Sequence, residues 1–168
     1  MAQAFISLGS NVGNKIMHFT MALERMRAKH IQIKNCSPIY QTAAWGNTNQ
    51  DDFLNAVVQV STELTPHDLL TTLLDIEAGM GRQRGAEPWQ PRTIDLDILY
   101  YDDTVINDEI LQIPHPYLHQ RRFTLIPLTD VDADFIHPVL KQTNKELLLH
   151  CPDKSEVHAT KSVLVTND

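Results

Sequence analysis

The chain has only two cysteines in 168 residues, Cys36 and Cys151, and they share no CxxC spacing. Neither a disulfide framework nor a thiolate metal site can organise it, so both thiols are read as reduced. No apolar run approaches ~18 residues, and no membrane span is expected. The opening MAQAFISLGSN lacks a basic stretch followed by an apolar one, so no secretory signal is expected either. Both absences point to the cytoplasm. Positive charge is scarce as well. A formal net charge of −7 is wrong for a protein that coats nucleic acid. Lys and Arg are missing between Lys34 and Arg82, and the next five basic residues, Arg82, Arg84, Arg92, Arg121 and Arg122, are all arginine. Guanidinium groups suit forked contacts with phosphate oxygens; the plain alternative is solvated surface charge.

What is present is a soluble composition, 42% hydrophobic and 21% charged, on a chain long enough for one domain with a real core. That domain is expected over residues 1–151, followed by a polar tail at 152–168 that is partly disordered. Residues 3–8 read as a strand, and 15–29 as a helix with Ile16, Phe19, Leu23 and Met26 on one face. A second strand is expected at 31–41, a loop at 42–53 and a third strand at 54–64. Thr65-Pro66-His67-Asp68 starts a second helix, with Thr65 as N-cap and Pro66 at its first position. It runs to about Met80 and leaves Glu77 beside its apolar face, an awkward place for an unpaired carboxylate. A loop over 81–92 precedes the next strand. The order strand, helix, strand, strand, helix, strand is the βαββαβ core of ferredoxin-like α+β folds. An extra hairpin (105–113), a helix near 120–128 and a helical turn or two at 143–150 follow.

The strand over 94–100, Ile94-Asp95-Leu96-Asp97-Ile98-Leu99-Tyr100, carries the sharpest chemical signal. Alternation puts Ile94, Leu96, Ile98 and Tyr100 on one face and Asp95, Asp97 and Leu99 on the other. The two aspartates then lie roughly 6.5–7 Å apart at Cα, close enough to call for a positive charge between them. Open carboxylate oxygens beside arginines suit Mg²⁺ carrying a polyphosphate. Asp-x-Asp by itself also fits surface salt bridges. Gly9-Ser10-Asn11 with Gly13 follows the first strand; it either cradles phosphate or simply turns the chain. His115, held between Pro114 and Pro116, either donates to phosphate or is structural. Trp45, Trp89, Phe53 and Phe123 sit in or beside loops, where aromatics stack on a flat ligand or pin the loop.

Taken together, FISLGSN (5–11), DFLNAV (52–57), GRQR (81–84), PRTIDLDIL (91–99), IPHP (113–116) and RRF (121–123) make the chain resemble the 6-hydroxymethyl-7,8-dihydropterin pyrophosphokinases of the folate pathway, over about residues 3–150. The resemblance implies transfer of diphosphate from ATP, the co-substrate, to the pterin hydroxymethyl group, with release of AMP. It implies two Mg²⁺ on Asp95 and Asp97, and catalytic roles for Arg82, Arg92 and Asp97. ATP contacts are implied at Glu77, Arg84, Trp89, Arg92, Ile98, His115 and Arg121. The pterin pocket maps onto Thr42, Ala43, Trp45, Gly46, Phe53, Asn55 and Phe123. Small-molecule substrates are the implied partners, with no nucleic acid, membrane or obligate protein partner. Departures from the family pattern are Pro88, Gln90 and the bulky Trp45. The alternatives are a polymerase-type nucleotidyltransferase, whose Gly-Ser turn lies much nearer its D-x-D, and a non-catalytic ferredoxin-like sensor of nucleotide or pterin.

Overall fold

Two amphipathic helices and a run of half-buried strands need a shared surface to cover, and an antiparallel sheet supplies it. A computed structural model describes residues 1–43, 52–81 and 93–164. In chain order it contains β1 (Ala2–Ser10), α1 (Lys15–Ala28), β2 (Gln32–Cys36), β3 (Pro38–Thr42), β4 (Phe53–Thr62), α2 (Pro66–Gly79) and β5 (Asp95–Tyr101). The hairpin β6 (Ile106–Asn107) and β7 (Gln112–Ile113), α3 (Arg122–Val131), α4 (Asn144–Leu149) and β8 (His158–Val163) complete it. The main sheet runs β5-β1-β4-β3-β8, with β2 also paired to β4, and every pairing is antiparallel.

The sheet is covered on both faces. On one, Phe19, Leu23 and Met26 of α1 and Leu69, Leu73 and Ile76 of α2 pack on Ile6, Leu8, Val58, Leu96 and Ile98. On the other, Leu125 and Leu128 of α3 and Leu147 of α4 pack on Phe5, Val57, Leu99 and Tyr100. Each such side chain contributes about 1.5–3 kcal/mol on full burial. Caps fix the helix starts. Thr65 Oγ1 accepts from Asp68 N at 3.2 Å before α2, and Thr143 with Glu146 forms a capping box before α4. Among the described residues no helix is long and apolar enough to cross a membrane.

Two expectations need correction. The strand expected over 31–41 is two strands broken at Ser37. Pro38 has no N–H to give the ladder, and the Ser37 hydroxyl takes over locally, accepting from Val57 N at 2.9 Å and donating to Pro38 O at 2.7 Å. Strict alternation in β5 fails after Ile98. Ile6 pairs with Ile98 but Phe5 with Tyr100, so a bulge puts Tyr100 on the same face as Leu99. There its hydroxyl donates to Asn144 Oδ1 at 2.8 Å. Within the polar tail lies an edge strand that the sequence pattern did not mark: β8 pairs with β3, Tyr40 opposite Ala159 and Gln41 opposite His158. An edge strand is held by backbone hydrogen bonds and needs few apolar side chains, so polarity alone did not reveal it.

His137 is 5% exposed, and its Nδ1 accepts from Val139 N and Leu140 N at 3.2 and 3.0 Å. Burial first, and the nearby His119 second, push its pKa down to about 4. The unfolded chain, with an ordinary imidazole near 6.5, therefore takes up this proton first as pH falls. The stabilisation is complete above about 6.5 and is lost as pH drops toward about 4. Urea midpoints measured across that window should fall with pH in the wild type. His137→Gln should be less stable at neutral pH but show a visibly shallower fall.

Candidate functional site

The same alternation that seats the core also aims a set of polar side chains at one end of the opposite face. There they line a cavity of about 710 Å³. Three neighbouring strands form its floor. Asp95 and Asp97 come from β5, Ser7 and Gly9 from β1, and Phe53 and Asn55 from β4. Gly9 lies opposite Asp95 on one side and Asn55 on the other. A Cβ there would sit 3.6 Å from Asn55 Oδ1 and 3.9 Å from Asp95 Cβ, so the missing side chain leaves open the ground between the acid and the amide. Ser7 is paired with Asp97 in the same ladder.

The walls come from the far end of the sequence. His115 is fastened to β5 by its own N–H, which donates to Leu99 O at 3.0 Å. Its Nδ1 accepts from Tyr117 N at 3.1 Å, which assigns the proton of the neutral ring to Nε2. Burial, reinforced by the Arg121 charge and opposed by Asp95, pushes the His115 pKa down to about 4. At neutral pH it is an uncharged donor. The Arg121 guanidinium lies 5.2 Å from the Tyr117 ring centroid and 5.8 Å from that of Phe123, an arrangement that attracts a cation to ring faces. Asn55 donates through Nδ2 to Thr42 Oγ1 at 3.0 Å, both residues being buried. That bond orients the amide and leaves its oxygen and second N–H for a ligand's polar edge.

The structure thus gathers Thr42, Ala43, Phe53, Asn55, Asp95, Asp97, His115, Arg121 and Phe123 in one cavity. It does not bring in the side chains of two expected ATP contacts. Ile98 is in the core under the helices. Glu77 is 1% exposed behind β5, where its Oε2 accepts from Leu96 N at 2.7 Å. The awkward carboxylate of α2 is therefore tied to the backbone between the two aspartates. Trp45, Gly46, Arg82, Arg84, Trp89 and Arg92 lie outside the described residues. Thr93, the first described residue after Arg92, accepts from Ser10 Oγ at 2.6 Å through its carbonyl.

Sequence reasoning missed Ser7, Gln120, Thr124 and the segment Pro152-Asp153-Lys154, all of which line the cavity. Ser7 could have been found by extending the alternation back from Gly9; nothing local marks the rest. Among the described residues no three His, Cys, Asp or Glu side chains gather into a closed metal cage. Two strand carboxylates facing an open cavity suit Mg²⁺, which uses one or two carboxylates and completes its shell with water and substrate oxygens.

Residues 5–133 match the family model described as 7,8-dihydro-6-hydroxymethylpterin-pyrophosphokinase. The chain is similar to a 2-amino-4-hydroxy-6-hydroxymethyldihydropteridine pyrophosphokinase of Aquifex aeolicus, 39% identical over 146 residues, 87% of this chain and 90% of the relative. It is also similar to the protein of that name from Methylorubrum extorquens, 43% identical over 137 residues, 81% of this chain and 86% of the relative. Among solved structures, Plasmodium falciparum HPPK-DHPS (triple mutant with SDX-DHP) superimposes with a TM-score of 0.71 at 20% identity over 89% of this chain. The chain spans 44% of that structure, and the likeness is one of fold.

Removing the Glu77 carboxylate would leave Leu96 N–H buried without that acceptor, at a cost of about 1–3 kcal/mol. Glu77→Ala should therefore lower the urea midpoint clearly, and Glu77→Gln, which keeps an acceptor oxygen, should lower it less. Equal midpoints for the two variants would rule out the backbone tie as the reason.

Proposed function

Since the chain belongs to the 7,8-dihydro-6-hydroxymethylpterin-pyrophosphokinase family and is a pyrophosphokinase of folate biosynthesis, we propose that the cavity on β1, β4 and β5 is where ATP and the pterin meet. The reaction moves diphosphate from ATP to the hydroxymethyl oxygen of 6-hydroxymethyl-7,8-dihydropterin. The new bond joins that oxygen to the β-phosphorus, the bond between the β-phosphorus and the α–β bridging oxygen breaks, and AMP departs with that oxygen. One observation carries this reading: the paired aspartates of β5 open into the same cavity as an oriented amide, two phenylalanines, a neutral imidazole and a guanidinium.

Asp95 and Asp97 would hold Mg²⁺, two ions in this reading, which when bound neutralise phosphate charge and make the pterin hydroxyl a better nucleophile. The remaining work falls to the chain's own side chains. Phe53 and Phe123 take the flat ring between them, and Asn55, set by Thr42, satisfies its polar edge. His115 donates through Nε2 and Arg121 adds charge to the phosphate oxygens, joined by Arg82 and Arg92, so that negative charge shifting to AMP is met by fixed donors. Attack at the β- rather than the γ-phosphorus is a matter of alignment. Asp97 or a water molecule takes the hydroxyl proton.

We read the core as ferredoxin-like, on the strength of the βαββαβ order and the β5-β1-β4 run with β2 and β3 beyond it. The cytoplasm is the compartment we assign, supported by two free thiols. The partners are the two small-molecule substrates.

Incubation with ATP, Mg²⁺ and the hydroxymethyl pterin, followed by separation of nucleotides, should yield AMP and no ADP. Binding of both ligands without AMP would favour the sensor reading instead. Asp95→Ala and Asp97→Ala should each reduce turnover by roughly 100-fold or more with the fold intact; near-normal turnover in either would defeat the metal assignment.

A further inference from the structure

Helix α3 begins at the cavity wall, with Arg121 at its N-cap position and Phe123 in its first turn, yet no side chain at that N-cap accepts a hydrogen bond. The first amides of a helix have no partner within it and need an outside acceptor. Arg122 N finds one 31 positions later in the chain, donating to Asp153 Oδ2 at 3.1 Å. The other oxygen of the same carboxylate accepts from Ser155 N at 2.9 Å and Ser155 Oγ at 2.6 Å. Burial works to raise the Asp153 carboxyl, but the bonds from Ser155 and Arg122 and the Arg122 charge outweigh it and hold it below the usual carboxylate range. A carboxylate at a helix N-terminus also meets the positive end of the helix dipole. The segment carrying it is fixed on both sides, by buried Cys151 before it and by β8 on β3 after it.

We infer that Asp153 is a positioning residue for the reaction: by capping α3 from the C-terminal segment it holds Arg121 and Phe123 at the cavity wall. The inference rests on the pterin diphosphokinase reading above. Its physical basis is that Arg121 lies against both Tyr117 and Phe123, so a frayed first turn would loosen the ring wall and the phosphate contact together. Helix α4 provides the control, because its capping box is self-contained in Thr143 and Glu146 and neither residue lines the cavity.

The test is steady-state kinetics with both substrates on the full chain, alongside thermal melts. AMP production by the wild type is measured first. Its failure would remove the functional reading, whereas the present inference is judged on ratios of variant to active wild type. Asp153→Ala should raise KM for both the pterin and ATP about fivefold or more with a smaller loss in kcat, and Asp153→Asn, which keeps an acceptor oxygen, should recover most of the loss. Thr143→Ala should lower the melting temperature comparably and leave both KM values at wild type. An unchanged KM in Asp153→Ala despite a lowered melting temperature overturns the inference, as does an equal rise in Thr143→Ala. Should Asp153→Ala fail to fold, Ser155→Ala replaces it: a rise of about twofold in pterin KM supports the inference and no rise overturns it.

Discussion

Everything at the site depends on β5 being two-faced. Asp95 and Asp97 repel each other; at ~6.5 Å and an effective dielectric of ~20 the cost is about 2–3 kcal/mol. Leu96 and Ile98 alternate with them and are buried under the helices, which contributes about 3–6 kcal/mol for the two. Burial exceeds repulsion, so the acids are held in place by the core rather than by whatever binds them. The tie from Glu77 to Leu96 N adds a third hold, on the backbone itself. A preformed acidic pair of this kind costs no rearrangement when charge arrives, which is how fixed dipoles and charges favour a transition state.

The neighbouring strands repeat the same division of labour. In β1, Ile6 and Leu8 go to the helices while Ser7 and Gly9 face the cavity; in β4, Ala56 and Val58 go in while Phe53 and Asn55 face out. Because the pairing places Gly9 directly between Asn55 and Asp95, the pterin and metal halves of the proposed site are one strand apart on a rigid sheet. Loops then have only to supply walls. His115 and Arg121 meet this need from different directions, one hung on Leu99 O and the other held against aromatic rings.

Much of this was legible beforehand because it follows from local rules. A period of two in β5 and one near four in α1 and α2 mark the strand and helices, and Thr65-Pro66 marks a start. That Thr42, Ala43, His115, Arg121 and Phe123, which line the cavity, belong to one set was suggested by resemblance to the family's blocks. The break at Ser37 and the bulge at Leu99 were not, since each depends on what the partner strand does at that point. Strand β8 was hidden because the force that holds it is backbone pairing with β3. Asp153 was hidden for a related reason: a cap supplied from 31 residues away has no sequence spacing to recognise it by.

By itself the sequence determined which faces would be apolar, where two helices begin, and that two carboxylates would leave one strand in the same direction. These are properties of neighbouring residues on a chain with fixed dihedral preferences. Only the tertiary structure decided that Asn55, Asp95, His115, Arg121 and Asp153 would share a cavity, and that Glu77 would stand behind it. Those outcomes depend on strand order and on which face each helix covers, and both are settled by closing long loops around one core rather than by any local preference.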